Sequence, residues 1–67
     1  MADRKIIGER LRELRGDKTV VAVASACNIS PSALSMYENG ERIPRDEIKV
    51  RLASFYNSTV QAIFFEV

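Results

Sequence analysis

Basic residues flank a stretch of the chain that carries no charge, and this distribution could allow the chain to bind phosphate groups. No charged residue lies between Thr19 and Met36. The basic residues on either side are Arg4, Lys5, Arg10, Arg12, Arg15, Lys18, Arg42, Arg45, Lys49 and Arg51. Such side chains could contact a phosphate backbone at the edges of a neutral segment. They are equally compatible with a solvated surface around a core, and the net charge of +1 favours neither interpretation.

Few residues in the chain have the chemistry of a catalytic or metal site. The chain has no histidine and one cysteine, which excludes an internal disulfide and the usual zinc-ligand sets. Cys27 falls on an apolar face, which favours a buried hydrophobic role over a reactive thiol. Asp46 and Glu47 fit a helix start better than a catalytic carboxylate pair. We therefore expect no enzyme activity, no cofactor and no metal site.

Length and composition indicate one small globular domain covering residues 1–67. The chain is 46% apolar and 28% charged, which is typical of folded rather than disordered proteins. Its length lies near the lower limit for a core without disulfides or metals. No apolar run reaches the roughly 18 residues of a membrane span, and no signal-peptide pattern opens the chain. These features predict a cytoplasmic protein.

The first helix is predicted at about residues 4–15. Asp3 is a suitable N-cap, and Gly16 suits the left-handed conformation that often follows a helix. Its apolar stripe consists of Ile6, Ile7, Leu11 and Leu14. A glycine inside a helix costs about 1 kcal/mol of stability relative to alanine. Its presence at position 8 therefore indicates that another helix approaches closely there. Glu38 is expected to pair with a basic residue of this helix such as Arg10.

Two short helices joined by a tight turn follow. Thr19 is the natural N-cap of a helix at about residues 20–27, where the alanines favour a helix although the valines would also fit a strand. Asn28 tolerates the positive φ of a sharp turn. Ser30 then caps a third helix at about residues 31–39, with a proline at its first position.

Two further helices complete the domain. A fourth helix is predicted at about residues 46–56, after a loop that contains Pro44. We expect its apolar face to consist of Ile48, Val50, Leu52, Ala53, Phe55 and Tyr56. Thr59 is a suitable cap for a fifth helix at about residues 60–65. The sequence therefore predicts an all-α domain of five helices.

This order of elements resembles the phage Cro/repressor type of helix-turn-helix, often called XRE-like. The resemblance covers residues 6–65 and is carried by Ala24, Ile29, Ser30, Leu34, Tyr37, Glu38, Asn39, Gly40, Pro44 and the segment 60–65. It implies a compact lambda-repressor-like DNA-binding domain whose second and third helices form the helix-turn-helix. In that family, the third helix enters a major groove about 12 Å wide.

The resemblance also assigns DNA-contacting positions. The base-facing positions are Pro31, Ser32, Ser35 and Met36, with Ser30 and Asn39 at the margins. The phosphate-facing positions are Thr19, Asn39 and Arg42. Purely structural roles remain open for several of them: Ser30 as a cap, Ser32 and Ser35 as solvated serines, Met36 as a surface gap-filler and Arg42 as a solvated loop charge.

The sequence departs from the family pattern in two places. Val20, Val21 and Ala22 occupy positions where the family usually carries glutamine or another polar residue and then acidic residues. The third helix also lacks arginine, lysine and glutamine, which read guanine and adenine by paired hydrogen bonds. Specificity would then depend on serine contacts, thymine methyl groups, water or DNA shape.

The C-terminal segment is more apolar than one small domain needs. Phe64 is expected in the core, whereas Phe65 and Val67 are expected to contact a second copy of the chain. A two-fold dimer would place two third helices at half-sites about 34 Å apart. The alternative is that both phenylalanines are core residues.

Taken together, these features predict a sequence-specific DNA-binding transcriptional regulator. The form expected is a small phage- or mobile-element-type repressor that binds a palindromic operator in double-stranded DNA as a homodimer. It would be associated with the nucleoid. The alternative is a protein-interaction module on the same fold, an antitoxin or a partner that binds an anti-repressor, which would use Val20, Val21, Ala22 and the terminal aromatic residues.

Overall fold

The computed structural model describes residues 1–67, and it contains five helices and no strand. These are α1 (Arg4–Arg15), α2 (Val20–Ala26), α3 (Pro31–Glu38), α4 (Asp46–Phe55) and α5, a π-helical turn (Gln61–Phe65). The predicted all-α, five-helix fold is confirmed. The middle three helices each end one residue earlier than expected, because Cys27, Asn39 and Tyr56 adopt cap conformations with ψ close to 0°.

Side-chain caps determine where most of the helices begin. The side-chain oxygens of Asp3, Thr19, Ser30 and Thr59 each accept a hydrogen bond from the backbone N–H three residues later, at 2.9–3.0 Å. Each bond satisfies one of the N–H groups that a helix start leaves without an intrahelical partner. The α4 helix begins at Asp46, and its N-cap residue Arg45 makes no such bond. Four positions have positive φ, namely Gly16, Asn28, Gly40 and Asn57, and the first two are those expected to adopt it.

The α2 and α3 helices form the bent pair at the centre of the fold. Their axes meet at 111°, within the range of helix-turn-helix units. Asn28 provides the turn with φ of 58°, and Ala24 is fully buried where the two helices pack. No single helix of the protein is long and apolar enough to cross a membrane. Only this bent pair, taken together, passes that test of length and composition.

One continuous apolar core holds all five helices together. Phe64 is the largest of its fully buried side chains. The other apolar core members are Ala2, Ile7, Leu11, Val23, Ala24, Cys27, Leu34, Tyr37, Ile48, Leu52, Ala53 and Ile63. Every helix contributes at least one of them, so α3 is anchored to the rest of the domain along its inner side.

The α1 helix packs directly against the backbone of α3. A β-carbon added to Gly8 would lie 2.9 Å from the carbonyl oxygen of Tyr37 and closer still to that of Glu38. Only a residue without a side chain permits this approach. The close contact expected at Gly8 is confirmed, and the partner helix is α3.

The predicted apolar face of α4 is partly wrong. Val50 and Phe55 are exposed, and Lys49 is buried in their place. The Lys49 ammonium lies 5.0 Å from the ring centroid of Phe65, 5.8 Å from that of Phe64, and 3.5 Å from Asp46 Oδ1. An aromatic face and a carboxylate can together stabilise a cation outside water. The sequence pattern could not reveal this arrangement, because α4 is apolar on more than one side.

The two ends of the chain meet beside α1. The backbone N–H of the buried Ala2 donates to the carbonyl of Phe64 at 3.1 Å. Arg10 donates to the carbonyls of Ala62 and Ile63 at 3.2 and 3.0 Å. The expected pairing of Glu38 with a basic residue of α1 is confirmed, but that residue is Arg15 rather than Arg10. Arg10 instead satisfies carbonyl groups of the terminal helical turn.

Candidate nucleic-acid interface

The outer side of α3, formed by Pro31, Ser32, Ser35 and Met36, is small and uncharged. Pro31 and Ser32 are exposed, and Ser35 and Met36 are half-buried. The inner side of the same helix buries Leu34, Tyr37 and Glu38. Ser32 and Ser35 lie three residues apart, so their hydroxyl groups are neighbours on one helical face.

Two residues at helix starts combine capping with a free donor. Thr19 Oγ1 accepts from the N–H of Ala22, and Ser30 Oγ accepts from the N–H of Ala33, each at 3.0 Å. A hydroxyl that accepts one hydrogen bond still has its own proton to donate. Both side chains are on exposed residues, so each can serve as a cap and donate to a phosphate oxygen at the same time.

Asn39 lies where α3 ends, and its side chain contacts α1. Its amide oxygen Oδ1 accepts a hydrogen bond from Arg12 Nη2 at 2.6 Å. Arg42 follows in the exposed loop after α3. The structure thus places Asn39 and Arg42 at the C-terminal end of α3, and Thr19 at the start of α2.

A buried carboxylate connects the end of α3 to α1. The side chain of Glu38 is only 3% exposed, and it accepts from Arg15 Nε at 2.8 Å and from Arg15 Nη2 at 3.0 Å. Arg12 Nε lies 3.9 Å from the same carboxylate. This bonding to Glu38 raises the pKa of Arg15 above its ordinary value. Arg15 Nη1 also donates to the carbonyl of Lys18 at 2.7 Å, next to Thr19.

The sequence predicted a basic partner for Glu38 on α1 but named Arg10 rather than Arg12 or Arg15, although a signal was present. Arg12 and Arg15 follow Gly8 by four and seven residues, a spacing that places all three on one helical face. Gly8 is the residue at which α1 touches α3. Arg10 lies two residues from Gly8 and therefore on the opposite side of the helix.

The interior behind the helix-turn-helix contains two uncharged titratable groups. The hydroxyl of Tyr56 is buried without a hydrogen-bond partner. Burial, assisted by the negative charge of Glu38, raises the pKa of Tyr56 to about 12. Burial also raises the pKa of the Cys27 thiol, which keeps the thiol neutral and agrees with the hydrophobic role expected for it.

The outer face of α2 is apolar, as the sequence indicated. Val21 is 63% exposed, and Ala22 and Ala26 are exposed beside it. A shallow groove of about 490 Å³ continues from this helix to α4. Its walls are formed by Ala26, Cys27, Asn28, Val50, Arg51, Ser54 and Phe55.

The α3 helix is short and capped, it presents its outer side, and it lies at 111° to α2, with Ala24 of α2 buried. This arrangement is that of helix-turn-helix DNA-binding proteins. The chain belongs to the helix-turn-helix domain family, whose sequence profile matches residues 6–62. The resemblance identified in the sequence is confirmed for this family. The protein therefore has the fold of DNA-binding transcription regulators.

Solved structures support the same assignment. Two crystal structures of the clp gene regulator ClgR from Corynebacterium glutamicum are similar at 29% identity over 90% of this chain, with TM-scores of 0.80 and 0.77. The chain spans 66% of one of these ClgR chains and 80% of the other. The SOS-response transcriptional repressor LexA from Eubacterium rectale shares the fold, with a TM-score of 0.82 and 22% identity over 100% of this chain and 81% of its own. No curated protein sequence is significantly similar to the chain.

Proposed function

We propose that the protein is a sequence-specific transcriptional repressor of the phage or mobile-element type, which binds a palindromic operator as a homodimer. The observation that carries this proposal is the contrast within α3. Its inner side is buried against α1, and its outer side offers the neighbouring hydroxyl groups of Ser32 and Ser35. A rigidly held helix with a free polar face fits the major groove of DNA.

The base contacts we propose come from the outer side of α3. Hydroxyl groups of Ser32 and Ser35 can donate to or accept from base edges, and Met36 offers an apolar surface to thymine methyl groups. Pro31 would lie against the groove at the helix start. Because none of these side chains makes a paired contact to guanine or adenine, DNA shape and bridging water would contribute to specificity.

The phosphate contacts we propose flank this helix on both sides. Thr19 and Ser30 would donate their hydroxyl protons, Asn39 its amide protons and Arg42 its guanidinium. All four residues are exposed. Together they would fix the register of α3 on the duplex, while the cationic residue would make binding dependent on salt.

Dimerisation through the C-terminal segment is part of the proposal. Phe65 is 39% exposed and Val67 is 97% exposed, so both offer apolar surface that a second copy could cover. A two-fold dimer would align two α3 helices with half-sites about 34 Å apart. A repressor of this kind would act in the cytoplasm, associated with the nucleoid.

Selection of bound sequences from a random duplex pool tests the proposal, followed by titration of the selected duplex by fluorescence anisotropy. We expect a palindromic consensus, and we expect Ser32→Glu combined with Ser35→Glu to abolish binding through repulsion of the DNA. Ser54→Glu, on the exposed surface of α4, is the matched control and should bind normally. Binding without any preferred sequence, lost uniformly as salt rises, would contradict the proposal.

The exposed apolar face of α2 favours one alternative, a protein-interaction module on the same fold. Val21 and the groove beside Phe55 would then bind a regulatory protein partner. The double glutamate variant of Ser32 and Ser35 separates the two functions, since it should leave such a protein interaction intact. Retained activity of that variant in cells would support the alternative.

A further inference from the structure

The side-chain amide of Asn39 is oriented by a neighbouring guanidinium. We propose that Arg12 is a positioning residue for the Asn39–phosphate contact, because it holds the amide oxygen and thereby turns the amide NH₂ group toward the DNA backbone. This inference rests on the proposed function, in which Asn39 meets a phosphate. The contact that carries it is the hydrogen bond of 2.6 Å from Arg12 Nη2 to Asn39 Oδ1.

The chemistry of the three groups permits only one productive orientation. A guanidinium has donors and no acceptor, whereas a phosphate oxygen only accepts. An amide placed between them makes both hydrogen bonds only when its oxygen faces Arg12 and its nitrogen faces the phosphate. The reversed amide would oppose donor to donor on one side and oxygen to phosphate oxygen on the other. Without Arg12, no hydrogen bond of the free protein holds the Asn39 amide in the productive orientation before DNA binds.

Arg12 is itself held in place by the buried carboxylate of Glu38. Its Nε lies 3.9 Å from Glu38 Oε1, and Glu38 is the residue before Asn39. The side chain of Arg12 is 58% exposed, so it reaches from the buried carboxylate to the protein surface. The backbone of Glu38 in turn packs against Gly8. The orientation of the Asn39 amide is therefore tied to the contact between α1 and α3.

The same carboxylate also binds an arginine that lies close to a second proposed phosphate contact, Thr19. Arg15 binds Glu38 through two nitrogens and donates to the carbonyl of Lys18, the residue before Thr19. Asn39 and the backbone just before Thr19 are thus each connected to Glu38 through one arginine. Hydrogen bonds from a charged donor are about twice as strong as those between neutral groups, and the bonds from Arg12 to Asn39 and from Arg15 to Glu38 and Lys18 are of this kind.

A double-mutant cycle with Arg12→Met and Asn39→Ala tests the positioning role, using the duplex selected above. We expect each single variant to weaken binding about 10-fold, and the double variant to weaken it only about 10- to 20-fold, because Arg12 acts through Asn39. Multiplication of the two effects to about 100-fold would overturn the inference. The control pair, Arg45→Met with Asn39→Ala, removes an exposed charge that pairs with Glu47 rather than with Asn39, and there the effects should multiply.

The salt dependence of binding separates positioning from a direct contact. In the Asn39→Ala background, Arg12→Met should leave the slope of log affinity against log salt unchanged. An arginine that itself neutralised a phosphate would lower the slope by about 0.9. That decrease would overturn the assignment of Arg12 as a positioning residue.

A measurement without DNA keeps the inference testable if the proposed function fails. In the free protein, ¹⁵N relaxation of the Asn39 side-chain amide should show restricted motion that increases in Arg12→Met and is largely restored in Arg12→Lys. An amide equally mobile with and without Arg12 would overturn the positioning role. If no duplex is preferred, the proposed function is overturned but the role of Arg12 is not. If a duplex is bound specifically and the effects of Arg12→Met and Asn39→Ala multiply, only the role of Arg12 is overturned.

Discussion

The two sides of α3 differ in how closely they pack against the rest of the molecule. The inner side contributes Leu34, Tyr37 and Glu38 to the buried interior, and its backbone touches Gly8. The outer side presents neutral groups that are exposed or half-buried. The position of the helix is therefore set mainly by residues that would not contact DNA. We expect substitutions on the outer side to affect the fold less than substitutions on the inner side.

Replacing Gly8 with alanine should have the largest effect on stability. The added methyl group would overlap backbone atoms of α3, which no side-chain rotation can relieve. We expect a loss of about 3 kcal/mol or more in the free energy of unfolding, despite the better helix propensity of alanine. Urea unfolding measures this loss. Glu9→Ala, at the exposed neighbouring position, is the control and should change stability little. Equal stability of both variants would mean that α1 and the inner side of α3 are not tightly packed at Gly8.

The variant Glu38→Gln should have an intermediate effect. It leaves Arg15, whose side chain is 19% exposed, without a counter-charge while keeping the shape of the side chain. We expect the free energy of unfolding to fall by about 2 kcal/mol, less than a fully buried pair would cost, because solvent reaches both arginines. Thermal or urea unfolding at moderate salt gives the value.

The matched control for Glu38 is Glu13→Gln, an exposed carboxylate on α1. It should lie within about 0.5 kcal/mol of the wild type. If Glu38→Gln also fell within that range, the ion pair would contribute no more than an exposed one. The proposed link between α1 and the end of α3 would then lose its energetic basis.

Changes on the outer side of α3 should have the smallest effect on folding. The variant Ser32→Glu with Ser35→Glu places both carboxylates in solvent, and the first of them lies in the N-terminal turn, where negative charge suits the helix dipole. We expect its free energy of unfolding to stay within about 0.5 kcal/mol of the wild type. Urea unfolding under the conditions of the binding assay checks this. A larger loss would show that the two sides of α3 are not independent, and would weaken the use of this variant in binding experiments.

Much of the fold could be predicted because its determinants are local. Each side-chain cap lies within three residues of the N–H group it binds, and Asn28 supplies its own turn conformation. Glycine at position 8 and alanine at position 24 are recognisable because only small residues permit close helix packing. Such features depend on the identity of one residue and its near neighbours in the sequence.

The errors concern choices that only tertiary packing decides. Several arginines of α1 were available to Glu38, and the choice followed from which face of α1 touches α3. In α4, Val50 and Phe55 are apolar yet exposed, because Lys49 occupies the inner position under two aromatic rings. The orientation of the Asn39 amide likewise depends on a residue 27 positions earlier in the chain. The proposed DNA contacts themselves came from the family pattern rather than from local chemistry.

The meeting of the two chain ends has a consequence for how the domain folds during synthesis. Phe64 is the largest of the fully buried side chains, and its carbonyl also accepts a hydrogen bond from the N–H of Ala2. A nascent chain therefore lacks this core residue until nearly all of the domain has left the ribosome, and its contacts with residues near the start of the chain form late. A chain that stops at Ala62 should accordingly lack the dispersed amide NMR spectrum of the native state. Cotranslational folding of the helix-turn-helix would thus be a single late event, and interrupted translation would release chains without a folded helix-turn-helix.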